Sequence, residues 1–341
     1  MSVEITGAEI TVRCLQEEGV DCIFGYPGGA VLFLYDELFK QDKVKHILVR
    51  HEQAAIHAAD GYARSSKNVG VALVTSGPGV TNAVTGIATA YMDSIPMLVI
   101  TGMNPTDTWG RGDFQESTPY TGVDTTEMFK SICKLSEIIV SVKTLQYRIR
   151  NAIATAKSGR TGPVHLAIPR DFWQTKISPE IWPTKYYSTL PPSTQDSNII
   201  LIAEKLMQSK KPVIIFGSGT TKDAVEKLME ISSKFLIPVI STPRAKGKGV
   251  SKIADTYLGN MGISATPLVN ELLDENEFDI VLTIGAGFSS YSTNSWDPVI
   301  TSRNMMVQVN IDPSALGRLF KADIGVISDA EIFSAQLLNF M

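Results

Sequence analysis

The sequence predicts an α/β protein made of two doubly wound parallel-sheet domains, and three observations carry that expectation. Nearly all-apolar runs such as VGVALV (69–74) and PMLVI (96–100) have the composition of strands covered on both faces. These runs alternate with helical stretches, the pattern of parallel strands joined by crossover helices. A chain of 341 residues also exceeds one ordinary core, and its texture changes midway.

Taken in order, GAEITVRCLQEEGV (7–20) has helical apolar spacing, with Ile10, Cys14 and Leu15 on one side. DCIFGYPGGA (21–30) is a short strand entering a glycine turn, and VLFLYDELFK (31–40) is a helix. HILVR (46–50) is a strand followed by an alanine-rich helix that Glu52 opens. VGVALVTSG (69–77) is a buried strand, and PGVTNAVTGIATAYMDS (78–94) a helix with Pro78 at its start. PMLVITG (96–102) is a further strand. The segment around 174–198 holds four prolines with several Ser and Thr and reads as a linker. The expected division is therefore a first domain at 1–175, a linker at 176–197 and a second domain at 198–341. In that second block, helices at 197–210, 224–237 and 330–340 alternate with strands at 211–219, 238–243, 279–288 and 305–312.

Composition narrows the function classes. A formal charge of −4, with scattered Lys and Arg, gives no electrostatic reason to expect nucleic acid or an acidic membrane as partner. The acidic start MSVEITGAEI is unlike a signal peptide, and no apolar run reaches the ~18 residues of a spanning helix. Cys14, Cys22 and Cys133 show no CxxC spacing, which points away from disulfides and zinc and towards a reducing, cytoplasmic setting. No metal site is expected in these residues.

Three strand ends of the first domain finish in distinctive loops: FGYPGGA (24–30), VRHEQ (49–53) and TSGPGVTN (75–82). Ligands of open parallel sheets bind beyond such carboxyl ends. Gly28 and Gly29 let backbone approach a ligand, and Gly77, Pro78 and Gly79 place amide groups at a helix start. Glycine turns of this kind also occur as plain strand–helix connections. Glu52 by itself is either a helix-start acid or a placed proton carrier.

These stretches, with GYAR, MDSIPMLVITG, DFQE and GPVHLAIPRDF (162–172), resemble the N-terminal pyrimidine-binding domain of the thiamine-diphosphate-dependent acetolactate synthase family. KPVIIFGSG, IPVISTPRAKG, YLGNMG, IVLTIGAGF and VQVNIDPSALGR follow in the order of that family's central domain. The resemblance implies decarboxylation of a 2-oxo acid such as pyruvate and its joining to a second carbonyl compound, giving 2-acetolactate. It makes Glu52 the carboxyl group hydrogen-bonded to N1′ of the cofactor's aminopyrimidine, which promotes the imino tautomer that deprotonates C2. Tyr26, Pro27, Gly28, Gly29, Pro78 and Asn82 become cofactor contacts, and Phe114, Gln115 and Lys134 substrate residues. His51 is expected to end a strand and His57 to be packed.

The resemblance also sets expectations beyond these residues. The central domain of the family contributes to an FAD site, where Gly217, Ser218 and Gly219 stand. Against FAD, they form only G-x-G, TPRAKG (242–247) departs from the family stretch, and Gly287 occupies an arginine's place. The family's third domain, which carries a GDG and an Asn for Mg²⁺ and the diphosphate, has no counterpart in the sequence. A truncated chain is the favoured expectation, beside a split enzyme and a degenerate protein, and the chain alone is expected to be inactive. A homodimer or homotetramer is implied. A related pyruvate oxidase, decarboxylase or carboligase, or a non-catalytic nucleotide-binding or regulatory module, stays open.

Overall fold

The first helix starts where the sequence offers a cap: Thr6 Oγ1 accepts from the Glu9 amide at 3.1 Å, and Ile10, Cys14 and Leu15 turn inward as their spacing predicts. The computed structural model describes residues 3–66, 68–250, 254–274, 278–297 and 305–341. Two units, Met1–Thr189 and Leu190–Met341, are each compact.

In the first unit the order is β1 (Ile5–Thr6), α1 (Gly7–Glu17), β2 (Cys22–Gly25), α2 (Leu32–Phe39), β3 (Lys45–Leu48), α3 (Glu52–Ser65) and β4 (Gly70–Val74). Then come α4 (Pro78–Thr81), α5 (Val84–Asp93), β5 (Met97–Met103), α6 (Thr125–Phe129), β6 (Leu135–Ile138), α7 (Leu145–Lys157), β7 (Pro163–Pro169) and β8 (Lys176–Ile177). Six strands form one parallel sheet in the order β3-β2-β4-β5-β7-β6. Every residue of β4, β5 and β7 is buried, which is why their sequences are almost uniformly apolar. From β2 the chain moves to β3 on one side and later to β4 on the other. The connection sense reverses between β2 and β4, so a crevice opens beyond their carboxyl ends.

The second unit runs α8 (Asp196–Gln208), β9 (Pro212–Phe216), α9 (Lys222–Phe235), β10 (Val239–Ser241), β11 (Tyr257–Asn260), α10 (Pro267–Asp274), β12 (Ile280–Ile284), β13 (Met305–Asn310), β14 (Ile324–Ile327) and α11 (Ala330–Phe340). Its six-stranded parallel sheet has the order β11-β10-β9-β12-β13-β14. Renumbered within the unit this is 3-2-1-4-5-6, the order of dinucleotide-binding folds. Both sheets are thus parallel and covered by helices, as the sequence predicts.

Three details differ from the sequence expectation. The helix expected over 78–94 is two helices, because bonding tightens at Ala83, whose amide reaches back three residues to Val80 O. The proline-rich stretch is not free chain in its first part. Strand β8 pairs antiparallel with β1, Tyr187 Oη donates to Glu18 Oε1 at 2.7 Å, and Arg150 lies 4.6 Å from the Trp182 ring centroid. The aromatic residues among those prolines supply surface to pack. Finally, β6, β11 and β14 are strands of four residues each, too short to show a clear period. No helix among the described residues is long and apolar enough to cross a membrane.

Candidate active site

Glu52 is the first residue of α3, and His51 caps that helix by accepting the Gln53 amide on Nδ1 at 3.1 Å. The glutamate is buried, 9% exposed. A carboxylate there needs a partner and gains from the helix start. Asn82, 30 residues on, supplies it: Nδ2 donates to Glu52 Oε2 at 2.9 Å. Oε1 faces Gly79, 3.3 Å from where a Cβ on that glycine would stand. His57 is exposed on α3 rather than packed, because its position falls on the face that this unit leaves uncovered, and its Nε2 lies 3.4 Å from Gln53 Nε2.

Thr75, directly after β4, joins two of the three loops. A Cβ on Gly28 would stand 2.5 Å from Thr75 Cβ, and one on Gly79 would stand 2.8 Å from Thr75 Cγ2. Its Oγ1 accepts the Ala30 amide at 3.4 Å. Gly28 is therefore glycine to let the chain approach its own neighbour, whereas Gly29 has open space where a side chain would be. Tyr26 and Pro27 are exposed beside it. Thus the loops after β2 and β4 and the start of α3 meet at the switch point of the sheet, and Tyr26, Pro27, Gly28, Gly29, Glu52, Pro78 and Asn82 stand on these three segments.

The amides expected to point out at Pro78 do not. Gly77 N donates to Ser117 Oγ at 2.7 Å, Gly79 N to Ser76 O, and Val80 N and Thr81 N to Gly77 O. Satisfying these donors internally is what a tight turn into a single-turn helix requires. The turn itself needs glycine, since Gly77 has φ +59°.

Gln115 packs on that turn: a Cβ on Gly77 would stand 2.7 Å from Gln115 Cβ. Gln115 has φ +55°, an uncommon value for a side chain of this kind. Phe114 beside it is 81% exposed. The structure thus brings Gln115 to the Glu52 end of the sheet. Lys134 goes elsewhere. It precedes β6, at the amino ends of the strands, and its Nζ donates to Thr155 O and to Ser158 O at 2.7 Å. There it binds carbonyls at the end of α7 as a cation suits a helix C-terminus, and burial lowers its pKa. Lys134 is accordingly removed from the substrate set.

In the second unit, Gly217, Ser218 and Gly219 follow β9 at the switch point beside β12. Gly217 N donates to Ile284 O at 2.8 Å and Gly219 N to Gly285 O at 2.9 Å. A Cβ on Gly217 would stand 2.3 Å from Gly285 O. Lys248 Nζ closes over the turn, donating to Ser218 O at 2.6 Å and Thr220 O at 2.8 Å. These glycines serve contact between two loops, and their amides are engaged there rather than free for a diphosphate. The residues do not fit the cradle that a flavin dinucleotide needs.

Sequence reasoning passed over Thr75, Ser117 and Glu116. Glu116 is a buried carboxylate in the loop that bears Phe114 and Gln115. Its Oε1 accepts from Gly110 N at 2.7 Å and its Oε2 from Gly112 N at 2.9 Å. The Thr121 hydroxyl, the Gly110 amide and the Thr118 hydroxyl lower its pKa to about 2. The glycine pair around Arg111 was the available signal, since repeated glycines before an acid allow amides to converge on it. Among the described residues no group of three or more His, Cys, Asp or Glu could hold a metal ion.

A parallel sheet with a carboxyl group buried at its switch point and an open glycine beside it describes a class, and comparison with known proteins names it. Residues 5–127 match the thiamine pyrophosphate enzyme N-terminal TPP binding domain, and residues 199–337 match the thiamine pyrophosphate enzyme central domain. The chain carries the N-terminal and central domains of thiamine pyrophosphate enzymes. Curated proteins similar to it include acetolactate synthase large subunits. It is 38% identical over 338 residues to a probable acetolactate synthase large subunit of Methanocaldococcus jannaschii, covering 97% of this chain and 55% of that protein. Identity is 37% over 340 residues with the acetolactate synthase large subunit of Lactococcus lactis, covering 98% and 57%. With the isozyme 3 large subunit of Escherichia coli it is 35% over 342 residues, covering 99% and 58%. The chain therefore spans little more than half the length of the curated relatives it matches.

Proposed function

We propose that this chain provides the pyrimidine-binding half of an acetolactate-synthase-like active site, which decarboxylates a pyruvate-like 2-oxo acid and joins the product to a second carbonyl compound. The observation that carries this is buried Glu52 at the β2/β4 switch point, held by half-buried Asn82. When bound, thiamine diphosphate supplies the nucleophilic carbon and electron sink for that chemistry. Glu52 is the residue that would share a proton with the pyrimidine ring, because it is buried, has one oxygen held by Asn82 and directs the other towards side-chain-free backbone at Gly79. Asn82 fixes the carboxyl orientation. Tyr26, Pro27, Gly29 and Pro78 are the residues that would border the ring, and Gln115 and Phe114 those that would face the substrate.

Magnesium and the diphosphate are assigned to a further domain, on this polypeptide or a partner, and assembly to at least a dimer. Three free thiols, two of them buried, suit a cytoplasmic enzyme. The test is Glu52→Gln in the assembled enzyme with pyruvate and thiamine diphosphate. Turnover is expected to fall by about 100-fold or more. Near-normal turnover would overturn the reading. Trials with aromatic 2-oxo acids and with aldehydes separate acetolactate synthesis from the decarboxylase and carboligase alternatives.

A further inference from the structure

We propose that Glu116 is a positioning residue for the carbonyl substrate: its carboxylate organises the loop between β5 and α6, and so sets where Phe114 and Gln115 stand at the Glu52 end of the sheet. The loop is irregular from Trp109 to Asp124 apart from the Ser117–Gly122 bridge. A few backbone turns aside, its shape is held by side chains, and Glu116 is the hub. The carboxylate accepts from the amides of Gly110 (2.7 Å), Gly112 (2.9 Å) and Asp113 (3.1 Å) and from the Thr118 hydroxyl (2.7 Å). A buried anion gathering backbone amides from one side and a hydroxyl from the other fixes the chain on both sides of residues 114 and 115.

Of the two residues between these anchors, Phe114 is presented to solvent and Gln115 packs on the Gly77 turn. Phe114 has its amide held by Asp113 Oδ1 at 2.7 Å and its carbonyl by Asn104 Nδ2 at 3.0 Å, yet the residue is 81% exposed. Gln115 is held at φ +55°, strain that persists only where surroundings impose it. Ser117, the next residue but one, ties the loop to the Gly77 amide at 2.7 Å. A contiguous path thus runs from Glu116 through Gln115 and Gly77 to Gly79 and Glu52. Backbone pinned on both sides, an aromatic residue left in solvent and a strained neighbour together describe a loop built to hold side chains for a ligand. That the ligand is a 2-oxo acid rests on the proposed function; the loop architecture does not.

The experiment compares wild type with Glu116→Gln, which keeps the shape but turns one acceptor into a donor opposed to amides. In the 341-residue chain, amide hydrogen exchange at Gly110, Gly112 and Gly77 is expected to quicken by about tenfold while the β4 and β5 amides keep their protection. In the assembled enzyme, KM for pyruvate is expected to rise about tenfold with thiamine diphosphate affinity within about twofold of wild type. Unchanged exchange overturns the proposal. So does faster exchange with wild-type KM and kcat, which would make Glu116 purely structural. Should Glu116→Gln not fold, Thr118→Val removes a single donor to the same carboxylate and is judged by the same two readouts. Glu52→Gln, assayed alongside, separates the two levels: full activity there refutes the proposed function, whereas its loss with wild-type kinetics for Glu116→Gln refutes only the positioning role.

Discussion

Asn82 Nδ2 stands 2.9 Å from Glu52 Oε2, joining the turn after a one-turn helix to the first residue of α3. This bond lets a carboxylate remain buried at the end of a parallel sheet. Asn82→Ala removes the donor and leaves the buried carboxyl group without it. Unfolding in urea should show the first unit destabilised by about 1.5–3 kcal/mol, the range for hydrogen bonds to charged groups. A double change with Glu52→Gln should cost less than the sum of the two single changes, because the partners share one interaction.

Gly28 leaves no room for a side chain, since a Cβ there would stand 2.5 Å from Thr75 Cβ. Gly28→Ala is expected to lower stability by about 1–3 kcal/mol through overpacking. Thr75→Gly removes the obstructing atoms. The double variant should recover most of the loss relative to Thr75→Gly alone, and an unrecovered loss would place the strain elsewhere.

His165 is fully buried in β7 between two hydroxyls, with Thr101 Oγ1 2.8 Å from Nε2 and Ser136 Oγ 2.9 Å from Nδ1. Ser136 donates its proton to Thr126 O at 2.9 Å, so it accepts from Nδ1–H, and Thr101 donates to Nε2. The ring is neutral, and burial pushes its pKa from 6.5 down to about 3. The unfolded chain therefore takes up a proton below 6.5 that the folded protein refuses. Stability from this residue is intact above 6.5 and falls as pH drops from 6.5 towards 3, by at most about 1.4 kcal/mol per pH unit. Urea midpoints for wild type and His165→Gln between pH 7 and about 4 should converge as the pH falls. Parallel curves would contradict the assignment.

Leu236 ends α9 at φ +55° and is 78% exposed. A glycine meets the left-handed geometry without a Cβ penalty, and little burial is lost. Leu236→Gly should stabilise the second unit by about 0.5–1 kcal/mol, read as a higher thermal midpoint.

Much of the architecture was legible because period and composition report burial within one element. VGVALV and MLVITG read as doubly covered strands, and each is buried throughout. The helix over 78–94 was misjudged at one point only, where Asn82 turns to Glu52. Loop partners were less legible. TSGPGVTN showed that a turn was special without showing that Thr75 faces Gly28 or that Ser117 takes the Gly77 amide. Lys134 illustrates the limit. It lies on a motif-like stretch, but the strand it precedes presents it at the opposite end of the sheet.

The sequence by itself determined two parallel α/β units, a carboxyl group at a strand-to-helix junction and the family to which those motifs belong. Only the tertiary structure decided what that carboxyl group meets. Strand order brings Asn82, Thr75 and Gln115 to Glu52, sends Lys134 away, and turns Gly217 and Gly285 towards each other instead of towards a ligand. Hydrophobic patterning encodes which face of each element is buried. It carries little information about which distant loop ends share a crevice, because that depends on how the strands are ordered in the sheet.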